Sequence, residues 1–168
     1  MRSEQLPEEP ASTSRRDFIK LTWGTLGALA AVEVGAVALG FSLPRVAEGE
    51  FGSVFHCGAV DDFPPGSVTP FNLGRFFLAR LPDGGFLALY RKCTHLGCSV
   101  PWDQTVEQFV CPCHASAFDM TGDVLNPPAP RPLDLFTISI ESDQVFVNTG
   151  EVIERDQFSE EQVQYREG

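Results

Sequence analysis

Four of the five cysteines in this 168-residue chain lie between residues 93 and 114, together with two of its three histidines. They form two short segments, Cys93-Thr94-His95-Leu96-Gly97-Cys98 and Cys111-Pro112-Cys113-His114. Each segment offers a cysteine and a histidine close enough in sequence to bind one metal centre, Cys93 with His95 and Cys111 with His114. Two thiolates and two imidazoles fit either a tetrahedral zinc ion or a [2Fe–2S] centre with mixed ligands. We therefore expect the fold to bring these two segments together.

The composition of the chain limits the kind of protein that can carry this centre. Twelve basic and 23 acidic residues give a net charge of −11, which argues against a nucleic-acid-binding protein because phosphate contacts need clustered Lys and Arg. The only basic cluster visible in the sequence is Arg15, Arg16 and Lys20. Thirteen prolines and fifteen glycines favour a loop-rich β domain over a helical bundle.

The N-terminus combines an export signal with a membrane-spanning length. The string Ser-Arg-Arg-Asp-Phe-Ile-Lys at 14–20 precedes an apolar, Gly/Ala-rich run and resembles a twin-arginine (Tat) signal. We predict a cytoplasmic leader over 1–20 and a transmembrane helix over 21–43, which at about 1.5 Å per residue spans roughly 34 Å. We expect the run to be retained as an anchor, and cleavage after Ala38 is the alternative. The basic residues then stay inside, and the rest of the chain lies outside a bacterial cytoplasmic membrane as a single-pass protein.

Two features of the predicted helix point to neighbours in the membrane. Glu33 is its one charged residue, and a carboxylate in lipid favours a partner helix or protonation. Glycines at 24, 27, 35 and 40 permit close helix packing, and they equally fit the ordinary composition of a Tat signal. Residues 44–52 contain one proline and two glycines and are predicted to form a hinge linker.

From residue 53 the pattern is short strands with turn residues between them, so the predicted fold is all-β, small and antiparallel. Predicted strands cover 53–57, 68–73, 75–80, 86–91, 106–111, 136–140 and 145–148. Pro-Asp-Gly-Gly at 82–85 predicts a hairpin turn, and the last two strands predict a terminal hairpin. We place the domain at 53–150, with the metal-binding part at about 91–132. Residues 151–168 form an acidic tail to which we assign no chemistry, although Ser159 could begin a short helix.

The remaining candidates are predicted to be structural. His56 and Cys57 sit side by side on a predicted strand, where one faces the surface and the other the core, and Cys57 is the expected unpaired thiol. The predicted core contains Phe71, Phe76, Phe77 and Phe86. Phe51 and Phe55 are predicted to pack near the linker.

The two Cys/His segments resemble the two boxes of Rieske iron–sulfur proteins, in the high-potential branch that carries a disulfide. The resemblance implies that Cys93 and Cys111 bind one iron of a [2Fe–2S] cluster, that His95 and His114 bind the other, and that Cys98 and Cys113 form the disulfide. Val-Pro-Trp at 100–102 and the 12 residues between Cys98 and Cys111 are similar to the Rieske subunit of cytochrome b6f-type complexes. Pro128, Ala129 and Pro130 are similar to the family's proline loop. The match covers about residues 86–148.

Three positions depart from the family pattern. The glycine after the second histidine is Ala115, and the glycine that opens the proline loop is Pro127. The family's serine donor is kept as Ser116, but the tyrosine position is Phe118. Because a lost donor to sulfur destabilises the reduced cluster, we expect a lower midpoint potential than in ubiquinol-oxidising relatives. Such a potential suits menaquinol, and a packing role for Phe118 is the alternative.

By this resemblance the chain is expected to be the Rieske subunit of a quinol:cytochrome c or plastocyanin oxidoreductase, which is not catalytic alone. His95 and His114 would contact quinol and accept its proton. The expected partners are a cytochrome b-type subunit and a c-type cytochrome in a dimeric, multi-subunit complex of the respiratory chain. Two alternatives share the same spacing: the small subunit of an arsenite oxidase-like molybdoenzyme, and a freestanding exported electron carrier.

Overall fold

The computed structural model describes residues 14–42 and 50–166, and the chain divides into an N-terminal unit, 1–45, and a second unit, 46–168. Helix α1, Arg15–Ser42, makes up the described part of the first unit and is long and apolar enough to cross a membrane by length and composition. It begins six residues before the predicted span because the backbone amide of Asp17 donates to the Ser14 hydroxyl at 3.3 Å. The predicted leader up to residue 13 and most of the predicted linker lie outside the described residues.

The second unit is built from ten strands in two antiparallel sheets, which confirms the predicted fold class. The strands are β1 Val54–Ala59, β2 Ser67–Phe71, β3 Phe76–Arg80, β4 Phe86–Tyr90, β5 Trp102–Asp103, β6 Gln108–Val110, β7 Ala117–Phe118, β8 Val124–Asn126, β9 Leu135–Glu141 and β10 Gln144–Ile153. The large sheet has the order β1-β10-β9-β4-β3-β2. The small sheet has the order β5-β6-β7-β8.

Both predicted hairpins are present. The amide of Leu81 donates to Gly85 O at 2.8 Å and closes the turn between β3 and β4. Strands β9 and β10 pair Ile140 with Val145 across a turn whose two central residues, Ser142 and Asp143, have φ of 48° and 62°. Positive φ at both positions gives the backbone twist that a two-residue hairpin needs.

Apolar residues in the large sheet form one core, and a second core lies between that sheet and the small one. In the first, alternate residues of β9 point inward, with Phe136 buried and Thr137 exposed, as the period-two pattern predicts. Phe76 and Phe86 are completely buried there. The second core includes Phe109 and Phe118 together with the metal-segment cysteines Cys93 and Cys111. The metal segments are therefore part of a packed interior at one end of the domain.

The acidic tail packs on the domain, which the sequence did not predict. Strand β10 continues to Ile153, past the predicted domain end. Beyond it Arg155 is only 5% exposed, and its guanidinium donates to Leu133 O at 2.8 Å and to Thr121 O. Val163 enters the second core, and a single-turn 3-10 helix at Glu160–Gln162 follows Ser159. The tail thus closes one side of the domain.

Candidate metal centre

The first Cys/His segment is a closed loop that follows β4. The amide of Cys93 donates to Cys98 O at 2.8 Å, and the amide of Gly97 donates back to Cys93 O at 2.9 Å. Gly97 adopts φ of 79°, where a residue without a Cβ is favoured. These bonds bend the chain so that His95 and Leu96 lie at the end of the loop.

The second segment forms a matching loop after β6. The amide of Cys111 donates to Ser116 O at 2.8 Å, and the amide of Ala115 donates to Cys111 O at 3.0 Å. Ala115 has φ of 58°, so the alanine holds the left-handed conformation for which the family uses glycine. An L-residue in that region costs about 1–2 kcal/mol, so the loop keeps its conformation at the expense of some stability.

A disulfide joins the two loops. Cys98 and Cys113 are bonded, with their Cα atoms 6.7 Å apart, as the resemblance implies. The sulfur atoms of Cys98, Cys111 and Cys113 lie within 4.8 Å of one another. Because two of these sulfurs are bonded to each other, only Cys111 in this group remains a thiol that could bind metal.

The two free thiols of the segments lie together in the interior. Cys93 and Cys111 are each 2% exposed. Burial raises the pKa of the Cys93 thiol, and the neighbouring Cys111 thiol contributes to the raised pKa. The His95 amide and the Ser116 hydroxyl lower that pKa. A positive metal would favour the thiolate form in this dry site.

The two histidines lie next to each other on the solvent side of the thiols. The rings of His95 and His114 stand edge to face, with centroids 4.9 Å apart. His95 is partly buried and His114 is exposed. The donor set is therefore mixed, with buried sulfurs and more exposed imidazoles. The imidazoles are the donors that a partner protein or a substrate can reach from solvent.

The segment after β8 covers a third side of this arrangement. The amide of Ala129 donates to the Ser116 hydroxyl at 3.0 Å, which fixes the proline loop to the second metal loop. The Thr94 hydroxyl donates to Arg131 O at 2.6 Å, which fixes it to the first. The Pro127–Pro128 peptide bond is cis. The segment that contains Pro128, Ala129 and Pro130 is therefore tied to both loops by hydrogen bonds.

Ser116 and Phe118 sit beneath the thiols. Both are completely buried, and Phe118 pairs with Phe109 across β6 and β7. The Ser116 hydroxyl accepts from the Ala129 amide and is near enough to the Cys93 sulfur to lower the pKa of that thiol. Phe118 has no hydroxyl and fills apolar space in the second core, so the environment of the sulfurs has one hydroxyl donor where the family pattern has two.

His56 and Cys57 belong to a different part of the domain. Both lie on β1, in the large sheet, where His56 is exposed and hydrogen-bonds Gln144 Oε1 through Nε2 at 2.8 Å. Cys57 is a free cysteine packed against the first core, and burial raises its pKa to about 12. The structure does not bring either residue to the metal loops.

The donor set fits an iron–sulfur cluster better than zinc. The same two loops supply two buried thiols and two adjacent imidazoles, and the remaining cysteines form a disulfide that a zinc site would not require. Residues 53–139 match the sequence model of the Rieske [2Fe-2S] domain. This chain belongs to the Rieske family. Its cofactor is accordingly a Rieske-type [2Fe–2S] cluster.

Similar proteins extend the Rieske match beyond the domain. The cytochrome b6-f complex iron-sulfur subunit of Parasynechococcus marenigrum is 34% identical over 151 residues, which cover 80% of this chain and 84% of the relative. The subunit of the same description from Chlorobaculum thiosulfatiphilum is 29% identical over 135 residues, covering 80% and 75%. A chain in the solved structure of a hyperthermophilic respiratory Complex III is 26% identical, with a TM-score of 0.48, over 76% of this chain and 98% of that chain.

Proposed function

We propose that this chain is the Rieske subunit of a membrane complex of the cytochrome b6f or bc type, which oxidises quinol and passes electrons to a c-type cytochrome. The observation that carries the proposal is the pair of adjacent imidazoles at the solvent side of two disulfide-linked loops. An apolar N-terminal helix in the same chain supports a membrane-bound role. Relatives described as cytochrome b6-f complex subunits match over most of their length and support the choice of complex.

In this proposal the four donors divide by burial. Cys93 and Cys111 would hold one iron of the cluster, and His95 and His114 would hold the other. The bound cluster accepts and releases one electron at a potential raised by its two neutral imidazole ligands. The disulfide Cys98–Cys113 keeps the two loops at a fixed separation, so that all four donors stay in place.

The outer imidazoles are the groups that meet quinol. A quinol hydroxyl, bound in the cytochrome b-type subunit, would donate a hydrogen bond to the ring nitrogen of His95 or His114 that is not used for metal binding, provided that this nitrogen has lost its own proton and so offers a lone pair. That nitrogen takes the hydroxyl proton when the quinol gives up its electron. His95 is partly exposed and His114 is exposed, which allows this contact without any opening of the domain.

Menaquinol is the proposed substrate because of the residues beneath the sulfurs. Ser116 keeps a hydroxyl beside the Cys93 sulfur, but Phe118 offers no second hydroxyl. Fewer donors to sulfur lower the midpoint potential. A lower potential still accepts electrons from menaquinol, which is a stronger reductant than ubiquinol.

The chain is proposed to lie in the bacterial cytoplasmic membrane, with its N-terminus inside and the Rieske domain outside. Arg15, Arg16 and Lys20 favour that orientation. The acidic surface of the domain would steer it toward a basic electron acceptor.

The test is to purify the protein gently in detergent with its partners attached and to record the reduced-minus-oxidised haem spectrum. A co-purifying b-type haem is expected. An intact assembly without b-type haem would overturn the proposal, and a molybdopterin subunit in its place would identify the arsenite oxidase-like alternative.

A further inference from the structure

The cations of the Rieske domain fall into two groups. The seven basic residues between 50 and 166 are Arg75, Arg80, Arg91, Lys92, Arg131, Arg155 and Arg166. Arg131 forms ion pairs with Asp134 and Glu154, and Arg166 forms ion pairs with Asp61 and Asp143. Arg80 and Arg155 donate to main-chain carbonyls.

The other three cations, Arg75, Arg91 and Lys92, have no carboxylate within 4.0 Å among the residues that the structure describes. In a strongly acidic protein, cations without acidic neighbours are unexpected. Since like charges repel, this arrangement costs free energy unless an anion joins it.

All three cations line the same cleft. It has a volume of about 470 Å³, and its other polar lining comes from Asn72, Tyr90 and Ser99, with no acidic residue among its walls. The strand pairing creates this juxtaposition, because the amide of Arg91 donates to Arg75 O at 2.9 Å and so brings together residues that are distant in sequence.

Neutral groups hold the two guanidinium groups in place. The Arg91 Nε donates to the Ser99 hydroxyl at 3.2 Å, and its Nη1 donates to Asn72 Oδ1. The Arg75 guanidinium lies over the Phe51 ring, 4.9 Å from its centroid. These contacts restrict the side chains without neutralising them, so their remaining N–H groups stay available for an anion.

We propose that the cleft of Arg75, Arg91 and Lys92 binds a phosphate group. Guanidinium groups donate two N–H bonds at once to neighbouring phosphate oxygens, and an ammonium group adds a third cation. The cleft has room for a small anion among the three cations, whereas a flat acidic protein surface would reach its walls poorly. The phosphate is either free or part of an anionic lipid headgroup, since both present the same oxygens.

This site lies beside the metal centre but is not part of it. Lys92 precedes Cys93, and Ser99 follows Cys98, so the cleft shares the outer wall of the first metal loop. The binding chemistry uses none of the proposed cluster ligands, and the inference goes beyond the proposed function and does not depend on it.

The test is isothermal titration calorimetry on the full chain with its cluster, in a phosphate-free detergent at constant ionic strength. Inorganic phosphate is one probe, and glycerophosphoglycerol, the headgroup of phosphatidylglycerol, is the other. Arg75→Gln and the double variant Arg75→Gln/Lys92→Gln remove charge from the cleft. Arg166→Gln is the matched control, because it removes the same charge from an ion-paired surface residue. The visible spectrum of each variant shows that the cluster is retained.

We expect wild type and Arg166→Gln to bind alike, and Arg75→Gln to bind at least about tenfold more weakly, since a hydrogen bond to a charged group contributes about 1.5–3 kcal/mol. Binding of inorganic phosphate alone would indicate a free anion, and equal or tighter binding of glycerophosphoglycerol would indicate a lipid headgroup. The proposal is wrong if wild type binds neither probe, or if the double variant binds as tightly as wild type. If wild type binds neither probe, the three cations would instead be expected to contact an acidic protein surface.

Discussion

The two sheets of the domain are held together in different ways. The large sheet has strands of five to ten residues around an aromatic core, in which Phe76 contacts the rings of Phe55, Phe71 and Phe136. The small sheet has strands of two or three residues. The metal loops beside it are held by the disulfide and by side-chain bonds to the main chain, such as Thr94 to Arg131 O. The comparison shows that apolar burial stabilises the base of the domain, whereas a few specific bonds shape the metal loops.

The largest effect is expected from a variant that removes a proposed metal ligand from the loops beside the small sheet. His114→Ala should abolish the Rieske EPR signal of the reduced protein, because one iron loses a ligand that no nearby side chain replaces. EPR and iron content measure this directly. His56→Ala, the matched control in the large sheet, should leave the signal unchanged, and an unchanged signal in His114→Ala would refute the ligand assignment.

In the large sheet, a comparably large effect is expected from a change in the aromatic core, and it is a loss of stability. Phe76→Ala removes a completely buried ring and should lower the free energy of unfolding by about 3–5 kcal/mol. The EPR signal of the folded fraction should not change, because the metal loops belong to the other core. Denaturant unfolding checks the first expectation, and a changed EPR line shape would show that the two halves are coupled.

The disulfide should matter less to stability than the aromatic core but more to the cluster. Cys98→Ser opens a bridge between residues 15 positions apart, for which loop entropy gives a loss of about 2–3 kcal/mol. We expect a lower Tm and faster loss of visible absorption on heating, with Cys113→Ser behaving alike. Cys57→Ser is the control with its thiol already free, and equal Tm values for all three variants would exclude a role for the bridge.

The smallest expected effect is a change in the midpoint potential of the cluster, without a change in the fold. Phe118→Tyr adds the hydroxyl that the family pattern places beneath the sulfurs and should raise the midpoint potential, because the donor stabilises the reduced cluster. Protein-film voltammetry measures the shift. Phe118→Leu lacks a hydroxyl and should leave the potential near that of wild type. If the tyrosine variant also shows no change, Phe118 has only a packing role.

The sequence predicted the regular half better than the irregular half. Alternation along residues 136–140 and the Pro-Asp-Gly-Gly turn identified β9 and the β3–β4 hairpin, because their signals are local. Strands β5, β7 and β8 were missed, since two or three residues are too few to show a period. The pairing of Cys98 with Cys113 was available only through the family resemblance.

Long-range packing explains what else was missed. In the sequence, Arg155 is one residue of the acidic tail. In the structure it is buried against Leu133 and Thr121, which are more than twenty positions away. Arg75 likewise shows no link to Arg91 and Lys92 until the strands pair. Neither relation has a sequence pattern of its own, so only the fold shows it.

The most direct test of the proposed centre is pulsed EPR of the reduced protein, counting the nitrogen nuclei coupled to the cluster. Two strongly coupled ¹⁴N nuclei are expected in wild type and in His56→Ala, one from each of His95 and His114. A cluster with no coupled nitrogen would show ligation by sulfur alone and would contradict the assignment of both histidines.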